Sequence, residues 1–157
     1  VKERFMVKQY IGTKMIKAKP MNRGDYNKYR GWNIPKDENP ADEGYLVMYP
    51  DGYESWSPKK QFEEAYRDCM GMTFGIALEL LKKGCKVARE GWNGKGMFLY
   101  YVPAASYPPC TDIARKAFDG NDVPYGAYIA MKTAQGNVVP WLASQTDMLA
   151  EDWGIVE

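Results

Sequence analysis

The chain has 157 residues, 45% of them hydrophobic and 26% charged, with 21 basic against 20 acidic side chains for a formal net charge of +1. That length buries one ordinary core or two small ones, and the balanced charge excludes both a disordered polyelectrolyte and a global field that would attract a DNA or RNA polymer. The chain has no His, which removes the commonest proton carrier at neutral pH, the Ser-His and Cys-His nucleophile pairs and the mixed Cys/His zinc sites. No metal and no cofactor are expected.

No run of about 18 apolar residues is present, and residues 1–6 lack an apolar signal core, so a cytoplasmic protein without a membrane span is expected. The first residue is Val, which points to a processed start, with Met6 an alternative beginning. Cys69, Cys85 and Cys110 are odd in number and widely spaced, which fits reduced thiols rather than a disulfide framework.

In chain order, residues 9–19 alternate (Tyr10, Ile11, Met15, Ile16, Ala18) as a strand that Pro20 ends by removing a donor. Residues 21–43 read mostly as loop, with one helical turn over 25–30. Residues 44–49 and 53–56 flank Pro50-Asp51-Gly52 as a hairpin. Ser57 then reads as the cap, and Pro58 as the first residue, of a helix reaching 67.

After a boundary at 68–72, Thr73 caps a helix over 74–83 whose Phe74, Ala77, Leu78 and Leu81 share a face, and Gly84 stops it. Residues 85–90 alternate as a strand, a turn follows around Asn93-Gly94-Lys95-Gly96, and 97–102 form a continuous apolar run typical of a buried strand. Residues 103–126, with four prolines, read as a long irregular insertion of the kind that forms lids or interfaces, holding one short helix over 111–118. Residues 127–132 and 138–141 form a second hairpin with Pro140 on an edge, and Ser144 caps a last helix to 152. These elements define an α+β fold of two small modules. Residues 1–68 form an N-terminal β-hairpin and helix, and 72–157 a C-terminal antiparallel-sheet domain with packed helices.

The motifs hold a ligand better than they break one. Gly94-Lys95-Gly96 brings backbone amides and a charge to an anion, but the Walker and dinucleotide fingerprints are missing and an Asn-Gly turn explains the spacing. Trp92 packs in a core or offers a stacking face. Asp147, three residues after Ser144, fits a capping box, while the same helix start can present Thr146, Asp147 and free amides to ribose or phosphate. Asp147 and Glu151 could share a helix face as a carboxylate pair, a pattern that a solvated face also produces.

The segment 72–157 resembles the second Thoeris anti-defence family of phage proteins. The likeness is carried by Thr73-Phe74-Gly75, Val87-Ala88-Arg89, Gly91-Trp92-Asn93-Gly94-Lys95-Gly96-Met97, Tyr128-Ile129-Ala130-Met131-Lys132-Thr133, and Pro140-Trp141 through Trp153. The resemblance implies a small α/β domain that assembles into homotetramers and sequesters immune signalling nucleotides at subunit interfaces without cleavage. The signal is glycocyclic ADP-ribose from bacterial TIR-domain enzymes, and some members hold cyclic dinucleotides in separate sites. It also implies Trp92 as the base-stacking residue and Thr146 with Asp147 as the polar pair, to which Asn93, Lys95 and Met131 are added as neighbours. Where that pair often begins with Asn, this chain has Thr146, which loses the amide's reach.

The function expected is a non-enzymatic phage sponge in the infected host cytoplasm, with no catalytic residue. A phosphodiesterase or glycohydrolase using Asp147, Glu151 or Asp152 and a protein-binding adaptor are the alternatives. Residues 1–68 resemble short phage domains of no known role.

Overall fold

A computed structural model describes residues 7–157, and the chain divides after Arg67 into two units. The expectations on residues 1–6, Met6 included, lie outside the described residues.

In the first unit, β1 (Lys17–Pro20), β2 (Gly44–Met48) and β3 (Glu54–Pro58) form an antiparallel sheet in that order, with α1 (Arg23–Arg30) and α2 (Lys59–Ala65) in the connections. The central strand buries the successive residues Leu46 and Val47, which point to opposite faces, so both faces of the sheet are covered. Leu46 pairs with Trp56 across the ladder, and the Arg23 guanidinium of α1 lies over the Trp56 ring at 5.1 Å. On the other face, Tyr45 stacks on Phe62 of α2 at 4.0 Å.

Three expectations are corrected here. The strand expected over 9–19 is confined to Lys17–Pro20, because Lys17 pairs with Met48, the last residue of β2; earlier residues find no ladder in this hairpin. The single turn over 25–30 is an eight-residue helix, since the Asn22 side chain accepts from Asp25 N at 2.8 Å and Gly31, at φ 69°, closes its C-terminus in a left-handed conformation. Ser57 is no cap. It pairs with Tyr45 and Pro58 with Gly44, so the helix begins at Lys59 without a side-chain cap and ends at Ala65.

In the second unit, α3 (Phe74–Lys82) leads into β4 (Lys86–Arg89) and β5 (Phe98–Val102). Then come β6 (Ala105–Tyr107), α4 (Asp112–Ala117) and β7 (Val123–Tyr125). The chain continues through β8 (Tyr128–Lys132), β9 (Val138–Pro140), α5 (Gln145–Leu149) and β10 (Trp153–Val156). Five strands form an antiparallel sheet in the order β10-β4-β5-β8-β9, which puts Pro140 on the edge. The register aligns Ile155, Val87, Leu99, Met131 and Val139 in one row across the sheet. Met72, Ala77, Leu80, Leu81, Val87, Leu99 and Trp153 make the buried core; each large apolar side chain there contributes about 1.5–3 kcal/mol of transfer free energy. Thr73 caps α3, accepting from Ile76 N. The three cysteines are free thiols.

Here too the structure differs from expectation. Only Leu99 of the run 97–102 is buried and Tyr101 is 39% exposed, as in an antiparallel sheet with one covered face. The segment expected to be irregular folds into a separate two-stranded ladder, Ala105 opposite Tyr125 and Tyr107 opposite Val123, with α4 between its strands. The last helix stops at Leu149, because Ala150 turns extended (ψ 148°) and carries the chain into β10. Glu151 therefore lies outside the helix and shares no helical face with Asp147.

The Arg23 fork holds Glu38 through Nε to Oε2 at 2.9 Å and Nη2 to Oε1 at 2.6 Å, and Asn27 donates to the same carboxylate at 3.0 Å. These bonds lower the Glu38 pKa from 4.5 to about 2. The folded value is depressed, so this contribution is full above 4.5 and is lost as pH falls through about 2. Acid titration monitored by Trp fluorescence should show Glu38→Gln flattening the stability loss in that window; an unchanged acid limb would show that the pair contributes nothing.

Candidate functional site

The sheet's covered face continues one step past the core to a charged row. Val87 and Arg89 lie two apart on β4 and therefore on one face, and Arg89 pairs across the ladder with Trp153. A guanidinium directed into a core face needs acceptors, and two carboxylates supply them. Arg89 Nη1 donates to Asp147 Oδ1 at 2.9 Å and Nε to Asp152 Oδ1 at 2.8 Å, with the Arg89 and Asp147 side chains only 15% and 13% exposed. Gly91 N donates to Asp152 Oδ2 at 2.8 Å.

Asp147 also completes the capping box of α5. Its backbone N–H donates to Ser144 Oγ at 3.0 Å, and its Oδ2 accepts from Ser144 N at 3.3 Å and Ser144 Oγ at 2.8 Å. Trp92 Nε1 donates to Asp147 Oδ1 at 3.2 Å, and Trp153 Nε1 donates to the Asp147 carbonyl at 2.9 Å. Around this carboxylate, Trp92, Trp141, Trp153 and Phe74 form a cluster of tilted and edge-to-face rings 5.4–6.5 Å apart, a favoured geometry for aromatic pairs.

Burial pushes the Asp147 carboxyl up, but bonds from Arg89, Ser144 and Trp92 outweigh it and hold the group below its usual range. The Arg89 bond does the same for Asp152, and both carboxylates raise the Arg89 pKa. Both acids are therefore ionised at neutral pH, and a general acid requires the opposite shift.

Of the residues singled out in the sequence, the structure brings Trp92 and Asp147 into direct contact. Asn93 and Lys95 are exposed on the turn that follows Trp92. That turn leans on the neighbouring hairpin: Lys132 Nζ donates to the Gly96 carbonyl at 3.1 Å, and a side chain at Gly94 would meet Met97 and come within 3.1 Å of Ala134. Met131 sits on β8 opposite Leu99, half-buried against the core, and Thr146 is exposed in the first turn of α5. Arg89, Trp141 and Trp153 were not singled out as site residues, and Asp152 was weighed only as a hydrolytic carboxylate. The signal for Arg89 was its parity with Val87 on an alternating strand, which puts a charge on the apolar face.

Residues 72–156 match the model of the Thoeris anti-defense 2-like domain, and the chain belongs to that family. A relative named Thoeris anti-defense 2, from Bacillus phage SP01, is 44% identical over 85 residues, which are 54% of this chain and 94% of that protein. The match thus coincides with the second unit.

Replacing Arg89 with Met leaves the largely buried Asp147 carboxylate and the half-buried Asp152 carboxylate without their shared cation. Arg89→Met should lower stability by about 3 kcal/mol, measured by urea denaturation with near-UV signals from the tryptophans. A loss within experimental scatter would show that the clamp is energetically neutral.

Proposed function

We propose that this chain is a phage anti-defence protein that binds cyclic nucleotide immune signals and holds them intact, acting in the cytoplasm of the infected host. Family membership over residues 72–156 carries the reading, and the relative's name supplies the anti-defence role. The ligand class is glycocyclic ADP-ribose isomers, with cyclic dinucleotides as a second class. Trp92 stacks on the base, Thr146 and Asp147 flank it at the start of α5, and Asn93, Lys95 and Met131 complete the surroundings. Holding rather than cleaving is supported by two carboxylates that Arg89 keeps ionised and hydrogen-bonded and by the lack of any His.

Sequestration requires that free signal fall below the dissociation constant of the host effector, so tight binding and slow release are the selected properties. A pocket enclosing a dinucleotide-sized ligand needs more wall than one small unit offers, and repetition of one surface in a homotetramer supplies it. Leu142, 90% exposed, and Leu149, 78% exposed, flank the site on either side of Ser144 and Asp147, where a subunit boundary would cover them.

Calorimetry against glycocyclic ADP-ribose and cyclic dinucleotides tests the reading. Wild type should bind at least one tightly and release it unchanged on heat denaturation; recovery of a cleaved product would establish an enzyme instead. Trp92→Ala should weaken binding by about 1–3 kcal/mol, the range for a base stacked on an aromatic ring. Retained affinity would reassign Trp92 to packing alone. Light scattering should give a tetramer, and a monomer that still binds tightly would refute the interfacial pocket.

A further inference from the structure

The acceptor capacity of Asp147 is used up within the chain. Oδ1 accepts from Arg89 and Trp92, and Oδ2 accepts from the backbone N–H and the hydroxyl of Ser144. A carboxylate offers about four lone-pair sites, so a ligand donor could reach Asp147 only by displacing one of these partners.

Trp92, by contrast, is bracketed from two sides. Its indole N–H is fixed by Asp147, and the backbone N–H of the preceding Gly91 is fixed by Asp152. Arg89 joins both carboxylates. The neighbouring rings of Trp141 and Trp153 meet the indole at 62° and 79°, so its partners within the cluster approach edge to face rather than stacked.

We propose that Asp147 and Arg89 are positioning residues that act on the ligand through Trp92. The guanidinium fixes the carboxylate, the carboxylate fixes the indole N–H, and the indole plane sets the stacking surface. This rests on the reading that Trp92 stacks on the bound nucleotide. It also makes the indole nitrogen, and not only an aromatic ring, a requirement at position 92.

The test is a double-mutant cycle on the full chain. Trp92→Phe keeps a ring but removes the N–H, and Arg89→Lys keeps the charge but removes the fork. Affinity for glycocyclic ADP-ribose, measured by calorimetry, should fall by about three- to tenfold in each single variant, the range for losing one orienting hydrogen bond. The double variant should bind no more weakly than the worse single one, because both act along one path. Additive losses, or unchanged affinity in Trp92→Phe, would overturn the proposal.

A second measurement needs no ligand. With 5-fluorotryptophan in place of the five tryptophans, Arg89→Lys should move the Trp92 fluorine resonance while those of Trp32 and Trp56 in the first unit stay in place. A Trp92 resonance that does not move refutes the positioning role whatever the binding data show. Failure of the wild type to bind any cyclic nucleotide, with the resonance shift present, would reject the proposed function and leave the positioning role standing. Should Arg89→Lys not fold, Asp152→Asn, which loosens the same guanidinium from its other side, takes its place in both measurements.

Discussion

Arg89 is the constraint on which the second unit turns. A strand that must pack Val87 against α3 presents its next same-face residue to the same low-dielectric layer, and here that residue is a guanidinium. Burying a charge is costly unless it is paired and hydrogen-bonded. The two acids that pair with it lie 58 and 63 residues further along the chain, at the start of α5 and just before β10. The need to neutralise one Arg therefore fixes where the C-terminal segment lies on the sheet. The network is closed as well as paired: among the described residues no buried side-chain nitrogen or oxygen is left without a partner.

The same device recurs in the first unit with different surroundings. Arg23 forks onto Glu38 while its flat face lies over Trp56 and near Tyr26. In both units a planar cation joins a carboxylate to an aromatic layer, which suits a guanidinium and not an ammonium. The difference lies in the indoles. Trp56 donates to the Met21 carbonyl and serves the scaffold, whereas Trp92 donates to a carboxylate beside the exposed turn 93–96 and is only half-buried. A rigid aromatic side chain held at a surface loses little entropy when something stacks on it.

Much of this was legible in the sequence wherever the signal was local. Thr73 and Ser144 as caps, the hairpin around Pro50-Asp51-Gly52, and Pro140 on an edge all depend on residues within a few positions of one another. The strands β6 and β7 were beyond it, since each is too short for a period to show and Pro124 sits inside one of them. So were long-range pairings. Trp92 and Asp147 could each be picked out on its own segment, but the bond between them spans 55 residues and follows only from the ladder of β10 on β4. Without that ladder Asp147 looked available to a ligand, and the partners that occupy its oxygens could not be counted.

The placement of β10 beside β4, with Trp153 in the centre of the core, bears on how the protein is made. As the chain leaves the ribosome, α3 and β4 emerge with their apolar faces complete but with the neighbour that covers them still unsynthesised. The intervening residues take about 3–13 s at ordinary elongation rates. The first unit carries no such delay, because its three strands and two helices are all present by Ala65. The nascent protein is therefore half folded and half open for seconds. In that interval Ala77, Leu80 and Leu81 of α3 lack the cover that Trp153 supplies in the finished core.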